Sequence, residues 1–319
     1  MTYRNYIGGS DAGAVLGVSP YQSRLGLWER LMGMREPEPE NERMKWGKRL
    51  EGPIIAAFAE ETGWEVEHFP TYDPADEDGA VTFVHPEYPW LRSHPDGRVL
   101  SDDGGLIQAK VTHHLTDEWG EPGSSDVPAT IYAQCQHDMV ACVEHVTYVP
   151  VLVGGNTLHT FVVPADREFQ DALVEQERDL WEAVKSGEPP EPDGSEDARR
   201  ALRTLYPRAE RDEIVATPEL TEAMAAYITA HAISKAADAD KELQAQRIIA
   251  YMGEHAHLAG DGYSAAYPNI KGSTSWALVA KAYRQMLEAI REPASKLDAI
   301  VSLHTAPESR RLTVKGTGE

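Results

Sequence analysis

The chain is short of cysteine, of long apolar runs and of positive charge, and each shortage excludes something. Cys135 and Cys142 are the only cysteines in 319 residues. They stand seven apart in a predicted helix, too far along it to bridge, so no disulfide framework holds the fold and reduced thiols are expected. There is no Cys/His zinc pattern, no GxxxxGK[ST] phosphate loop and no serine or cysteine triad. No apolar run approaches the roughly 20 residues that span a bilayer. Thr2-Tyr3-Arg4-Asn5 leads straight into a Gly/Ser loop without an apolar signal region. The expectation is a cytoplasmic protein without a membrane partner.

Thirty Lys and Arg against 52 Asp and Glu leave a net charge of −22. Such a balance argues at first against a nucleic-acid partner. Screening weakens the objection, because the Debye length at physiological salt is about 8 Å and distant acidic surface hardly reaches a groove. Arg24, Arg30, Lys45, Lys48 and Arg49 form a local basic neighbourhood, so composition is neutral on DNA. What is present is ordinary for a soluble chain, 41% hydrophobic and 26% charged.

The proline-rich, acidic stretch at 188–197 reads as an extended linker. It would separate a first domain, 1–187, from a mainly helical accessory or assembly region, 198–319. Before it, Gly8-Gly9-Ser10 precedes a short helix capped by Ser10 or Asp11. Helices are predicted over 24–32 and 42–62, the second disturbed at Gly52-Pro53 and ended by Gly63. Short strands follow at 64–69, 81–84, 91–94, 98–100 and 106–112, the last two joined as a hairpin through Ser101-Asp102-Asp103-Gly104-Gly105. A helix over 130–142, strands at 147–153 and 158–163 and a helix over 166–185 complete a mixed sheet with helices packed on it. Beyond the linker, 218–252 reads as a helical hairpin or one long helix. A short hairpin around Gly260-Asp261-Gly262 and a helix over 275–290 follow.

Hydrolysis of a phosphodiester calls for a hard cation, which polarises the phosphoryl oxygen and lowers the pKa of the attacking water. Mg²⁺ takes oxygen ligands and keeps several waters, so one or two carboxylates suffice. Asp96 enters the hairpin, and the return strand puts Gln108 and Lys110 on one face because side chains alternate. Ile107 and Ala109 then face the core. A lysine in so apolar a strand costs desolvation unless it has a partner. His113 and His114 are adjacent on a predicted strand and would point to opposite faces, so they do not share one ion.

Pro95-Asp96, a hairpin and then Gln108-Ala109-Lys110 resemble the PD-(D/E)xK nuclease signature. That signature alone is weak. Ile7-Gly8-Gly9-Ser10-Asp11-Ala12-Gly13 with Leu16-Gly17, Gly47-Lys48-Arg49-Leu50-Glu51, and Tyr132-Ala133-Gln134-Cys135-Gln136-His137 narrow it. In that order they resemble the phage-type alkaline exonucleases of the YqaJ and lambda exonuclease family, over residues 2–185. The resemblance implies an α/β restriction-endonuclease-like core, a mixed sheet flanked by helices, and a Mg²⁺- or Mn²⁺-dependent 5′→3′ exonuclease on linear double-stranded DNA. The 3′ single strands it leaves would serve phage-type recombination in a bacterial host. A homo-oligomeric ring, trimeric for preference, and a single-strand annealing protein would be its partners.

Carried over by position, Asp96, Gln108 and the backbone carbonyl of Ala109 would hold the metal, with Glu51 reaching in from its helix. Lys110 would act on the nucleophile, and Gln134 or Gln136 would orient the water or the scissile phosphate. Ser10, with Arg4, would take the 5′-phosphate, and Arg24, Lys48 and Arg49 would contact DNA. His94 and His137 would at most support these groups. Gln108 departs from the family, which has Glu there. A carboxamide oxygen still ligates a hard cation but brings no charge. Gln also occurs at this position in nucleases resembling the Mrr type, so a natural variant and an inactivating substitution both stay open. Two other readings remain: a structure-specific or restriction-like endonuclease on the same fold, and a non-catalytic DNA-end binding protein.

Overall fold

A computed structural model describes residues 5–35, 39–69, 81–100, 104–208 and 214–270, and beyond these 276, 278–279, 281–282, 309–310 and 313–316. It divides into two compact units, Met1–Glu210 and Arg211–Glu319.

The first unit is built around one mixed sheet. Its strands are β2 (Val66–His68), β5 (Gly97–Val99), β6 (Leu106–Ile107), β7 (Lys110–Thr112), β8 (Val146–Val153) and β9 (Thr157–Pro164), in the order β2-β5-β6-β8-β7 with β9 on β8. β6 and β7 lie end to end along β8, both parallel to it, while β5 pairs antiparallel with β6 and β9 antiparallel with β8. A smaller sheet joins β1 (Ile7–Gly8), β4 (Leu91–Ser93) and β3 (Phe83–Val84).

One strand was expected over 106–112, and the ladder instead breaks at Gln108-Ala109. The register runs unchanged from Ile107↔Tyr148 to Lys110↔Val151, which sets Ala109 across from Pro150. Proline has no N–H to donate to a ladder. The N–H of Ala109 is directed elsewhere, to the carboxylate of Asp96 at 2.7 Å.

Helices cover the sheet. α2 (Arg24–Leu31) is capped by Ser23, whose hydroxyl accepts from the Gly26 N–H, and α3 (Glu42–Thr62) by Asn41, which accepts from Met44. α3 runs through Gly52-Pro53 unbroken and stops at Gly63, whose left-handed φ of 69° suits glycine. Its Ile55 and Phe58 pack with Val99 and Ile107 under the sheet. α4 (Ala129–Cys142) lays Cys135 and Met139 against Val149, Val151, Phe161 and Val163. α5 (Arg167–Ser186) is capped by Asp166 and buries Leu180 beside Trp28 and Ile7. Both cysteines are free, and burial raises both thiols.

The short amino-terminal helix starts differently from expectation. A 3₁₀ turn at Gly9–Asp11 precedes α1 (Ala12–Val15), and the cap of that turn is Gly8. Asp11 reaches back to accept from the Gly8 N–H at 3.0 Å and pairs with Arg30, while Ser10 is exposed.

The 188–197 stretch does not end the first unit. Ser195 caps α6 (Glu196–Leu205), whose Ala198 and Ala201 are buried against the cluster around α2. Asp197 accepts from the Ser23 N–H and pairs with Arg35, so this helix belongs to the first unit. Its two small alanines supply an apolar stripe that a polar linker composition does not announce.

In the second unit, 218–252 is one helix, α7 (Pro218–Met252), rather than a hairpin. The hairpin at Gly260-Asp261-Gly262 is β10 (His257–Gly260) with β11 (Tyr263–Ala266). β14 (Thr313–Gly316) extends that hairpin, and β12 (Asn269–Ile270) pairs with β13 (Ser309–Arg310). Most of the helix expected over 275–290 lies outside the described residues.

Candidate active site

The break in the sheet is where the polar side chains gather. Asp96, in the link between β4 and β5, is held on both sides: its N–H donates to the Ile107 carbonyl and its carbonyl accepts from the Phe69 N–H. Its Oδ2 accepts from Ala109 N–H. Gln108 is fixed by its own N–H, which donates to the Tyr148 carbonyl at 2.9 Å. Ile107 and Ala109 do turn into the core, so Gln108 and Lys110 share the opposite face. There the Lys110 ammonium donates to Gln108 Oε1 at 3.1 Å and to Gln134 Oε1 at 3.2 Å. Gln134 Nε2 in turn donates to Gln108 Oε1 at 3.1 Å.

Gln134 or Gln136 of α4 was expected to serve the site, and Gln134 is the one that lies beside Gln108 and Lys110. Residues two apart on a helix point roughly opposite ways. Gln136 is fully buried on the other side, where it donates to the Pro164 carbonyl and accepts from the Asp166 N–H and from Gln170. It joins α4 to the start of α5.

Asp138, four residues after Gln134 and on its face, reaches Gln108 from behind. It is 1% exposed, and its carboxylate accepts from Ser93 Oγ at 2.6 Å and from Gln108 Nε2 at 3.1 Å. Gly9 lies against it so closely that a Cβ there would stand 2.2 Å from Asp138 Oδ1. That is a packing reason for glycine in the Gly8-Gly9-Ser10 motif, and it places exposed Ser10 next to a residue that touches this network. Neither Asp138 nor Ser93 was anticipated. The signal available was the spacing of Gln134 and Asp138, one helical turn apart.

Glu51 is buried on α3 and meets His68 Nε2 at 3.3 Å. Glu51 is also close enough to act on Asp96. Burial pushes the Asp96 carboxyl up to about 7; Lys110 lowers it, Glu51 raises it, the Ala109 N–H lowers it and Asp138 raises it. Burial likewise raises Asp138. Among the described residues no group of three or more His, Cys, Asp or Glu forms a metal-binding cluster. The candidate donors are instead the Asp96 and Glu51 carboxylates and the Gln108 carboxamide, with the Ala109 carbonyl the expected fourth. All are hard oxygens, as Mg²⁺ or Mn²⁺ prefers.

The basic residues Arg24, Arg30, Lys45, Lys48 and Arg49 are spread over α2 and α3. Arg24 donates to the Val15 and Gln176 carbonyls and to Gln176 Oε1, tying α2 to α1 and α5. Arg30 and Lys45 are engaged with Asp11 and Glu42. Lys48 pairs with Glu40, and Arg49 lies over the exposed Trp46 ring, both on the surface of α3 one turn before Glu51. Arg4 lies outside the described residues. His113 and His114 are exposed in a bend beyond β7, not on a strand. His94 contacts Thr82 and the Tyr6 ring. His137 is buried between Glu177 and the Arg92 carbonyl.

Residues 2–144 match the sequence profile of the YqaJ-like viral recombinase domain. Over that span the chain resembles a YqaJ-like domain. The matched span contains Glu51, Asp96, Gln108, Lys110, Gln134 and Asp138. Over 250 residues the chain is 25% identical to the protein YqaJ of Bacillus subtilis (strain 168), covering 77% of this chain and 73% of that one. Among solved structures, an alkaline exonuclease (LHK-Exo) from Laribacter hongkongensis is 16% identical with a TM-score of 0.45, covering 64% of this chain and 96% of that one. A phage related exonuclease from Haemophilus somnus 129PT is 11% identical with a TM-score of 0.40, covering 63% and 96%. The matched span ends close to the carboxyl end of α4, and β8, β9, α5 and α6 complete the unit beyond it.

Proposed function

We propose that the protein is a metal-dependent exonuclease that degrades linear double-stranded DNA from its 5′ ends and leaves 3′ single strands for phage-type recombination. The observation that carries this reading is the convergence of Asp96, Gln108, Lys110 and Gln134 at a break in the sheet, within a YqaJ-like domain. Asp96, Gln108 Oε1, the Ala109 carbonyl and Glu51 would hold a divalent cation. Such a cation would polarise the phosphoryl oxygen and favour ionisation of the attacking water. Gln108 Oε1 already carries two donors, so one of them would have to leave for a cation to be held there. Lys110 then faces the water or the phosphoryl group, where its charge offsets what develops on the phosphorane. Gln134 orients the same groups from α4.

Ser10, exposed beside Gly9, is the proposed contact for the 5′-phosphate, and Lys48 and Arg49 contact the duplex backbone from α3. A closed ring of copies would gather basic residues into its channel and turn acidic surface outward, which suits a chain of net charge −22. Exposed apolar side chains on α7, among them Leu220, Met224 and Tyr227, support an assembly role for the second unit. A single-strand annealing protein is the partner that would receive the product.

The test is digestion of linear, 5′-phosphorylated duplex DNA with Mg²⁺ or Mn²⁺, beside a covalently closed circle and the Lys110→Ala variant. Shortening from 5′ ends, an intact circle and an inactive variant are expected. Cleavage of the circle would replace the reading with an endonuclease. Binding of linear DNA without any cleavage would replace it with an end-binding protein.

A further inference from the structure

Gln108 sits between two flanks of opposite hydrogen-bonding character. On one side is the Asp138 carboxylate, which only accepts; on the other is the Lys110 ammonium, which only donates. A carboxamide has one donating and one accepting end, so only one orientation satisfies both flanks. Nε2 must face Asp138 and Oε1 must face Lys110 and Gln134. A carboxylate at 108 would instead set two carboxyl groups against each other, about 3 Å apart in a place where both are buried, and one of them would have to take up a proton to supply the missing donor.

Asp138 is an expensive group to keep there. It is 1% exposed; among the described residues its side-chain hydrogen bonds come from Ser93 and Gln108, while His137 and Lys110 act on it through space. A buried carboxylate held by two neutral donors is weak evidence for stability alone. Space has also been cleared for it, because Gly9 has no side chain where any Cβ would overlap Asp138 Oδ1.

We infer that Asp138 is a positioning residue matched to Gln108: it grips the amide NH₂ and so aims Oε1 at the metal site, which makes Gln108 the native ligand of this protein and not a damaged glutamate. This rests on the nuclease reading, in which Gln108 Oε1 ligates the cation. The pairing also explains how a neutral ligand keeps its direction when one of its two donors leaves. Asp138 holds the far end of the amide in either state.

The experiment is a double-exchange cycle on the full chain: wild type, Gln108→Glu, Asp138→Asn, and the two together. In the double exchange the amide at 138 still accepts from Ser93 and donates to the carboxylate at 108, so the pair is restored with its ends reversed. Two readouts are taken, the melting temperature in EDTA and the Mn²⁺ affinity by titration calorimetry. Each single exchange should lower the metal-free melting temperature and weaken Mn²⁺ binding about tenfold or more, the usual effect of losing a residue that orients a ligand. The double exchange should recover most of the melting temperature and bind Mn²⁺ at least as tightly as wild type. If a single exchange fails to fold, a double exchange that folds and binds Mn²⁺ is the same rescue.

Additive effects in the double exchange would overturn the proposal. So would a Gln108→Glu protein that melts like wild type and binds Mn²⁺ more tightly than it. Asp96→Asn and Lys110→Ala, run alongside, separate this from the reading beneath it. If wild type cuts DNA and these two do not, the nuclease reading stands whatever the cycle shows. If wild type neither binds Mn²⁺ nor cuts, that reading falls, and the positioning role falls with it even if the melting temperatures remain coupled.

Discussion

The two units use apolar and polar side chains in opposite ways. In the first, Phe58, Phe161, Ile107 and Leu180 are closed in clusters, and polar groups buried among them are joined in chains, such as Ser93–Asp138–Gln108–Lys110–Gln134. In the second, α7 turns Leu220, Met224, Tyr227 and Ile228 outward, each more than half exposed, and its ion pairs, such as Lys241 with Asp238, lie in solvent. Chemistry needs side chains whose directions are fixed by neighbours, and among the described residues the first unit supplies them. An open apolar helix offers surface instead, which suits assembly.

The sharpest test of the contrast sets two lysines against each other. Lys110→Ala is expected to reduce DNA cleavage by about 10²- to 10⁴-fold, the range for loss of a group that acts on the nucleophile. Lys241→Ala should leave cleavage unchanged, because its ion pair with Asp238 lies in solvent. Equal losses would mean that the second unit takes part in the chemistry.

Next in size is the packing comparison. Phe161→Ala should destabilise the protein by about 3–5 kcal/mol in denaturant unfolding. Ile228→Ala, 67% exposed, should change stability by about 0.5 kcal/mol or less. A large loss from the second variant would show that α7 is covered in solution.

Within the first unit, the two glutamines of α4 divide the same way. Gln136→Ala leaves the Pro164 carbonyl and the Asp166 N–H without their partner and should cost about 1–3 kcal/mol, with cleavage by the folded protein retained. Gln134→Ala should do the reverse, lowering kcat with little change in melting temperature.

The last test is a pH slope. Burial opposes a charge on His137, but the Glu177 carboxylate and its hydrogen bond, with Asp138 and the Arg92 carbonyl, raise it from 6.5 to about 9. A raised pKa in the folded state stabilises the charged form, so this contribution is complete below pH 6.5 and is lost as pH rises to 9. Melting temperature should therefore fall across that window. In Glu177→Gln the slope should flatten, and a slope of unchanged steepness would assign it to other groups.

Much of the first unit was legible because its signals are local. The stop at Gly63, the hairpin that pairs β5 with β6, and the shared face of Gln108 and Lys110 follow from glycine conformation and strand alternation. The order of motifs around Asp96, Gln108 and Gln134 was enough to reach the YqaJ-like family. What was misread depended on partners distant in sequence. The polar run at 188–197 looked like a domain boundary because nothing in it shows that Ala198 and Ala201 pack beside α2, more than 160 residues away. Arg24 looked available for DNA until α5 brought Gln176 to it.

The sequence by itself determined which residue types could hold a hard cation and on which face of the strand they lie, since both depend on covalent chemistry and a two-residue period. Only the tertiary structure decided which glutamine of α4 meets Lys110, why residue 9 has no side chain, and which end of the Gln108 amide faces the site. Those answers turn on α4 being laid across β4 and the break between β6 and β7, which brings Asp138 behind Gln108 from 30 residues along the chain.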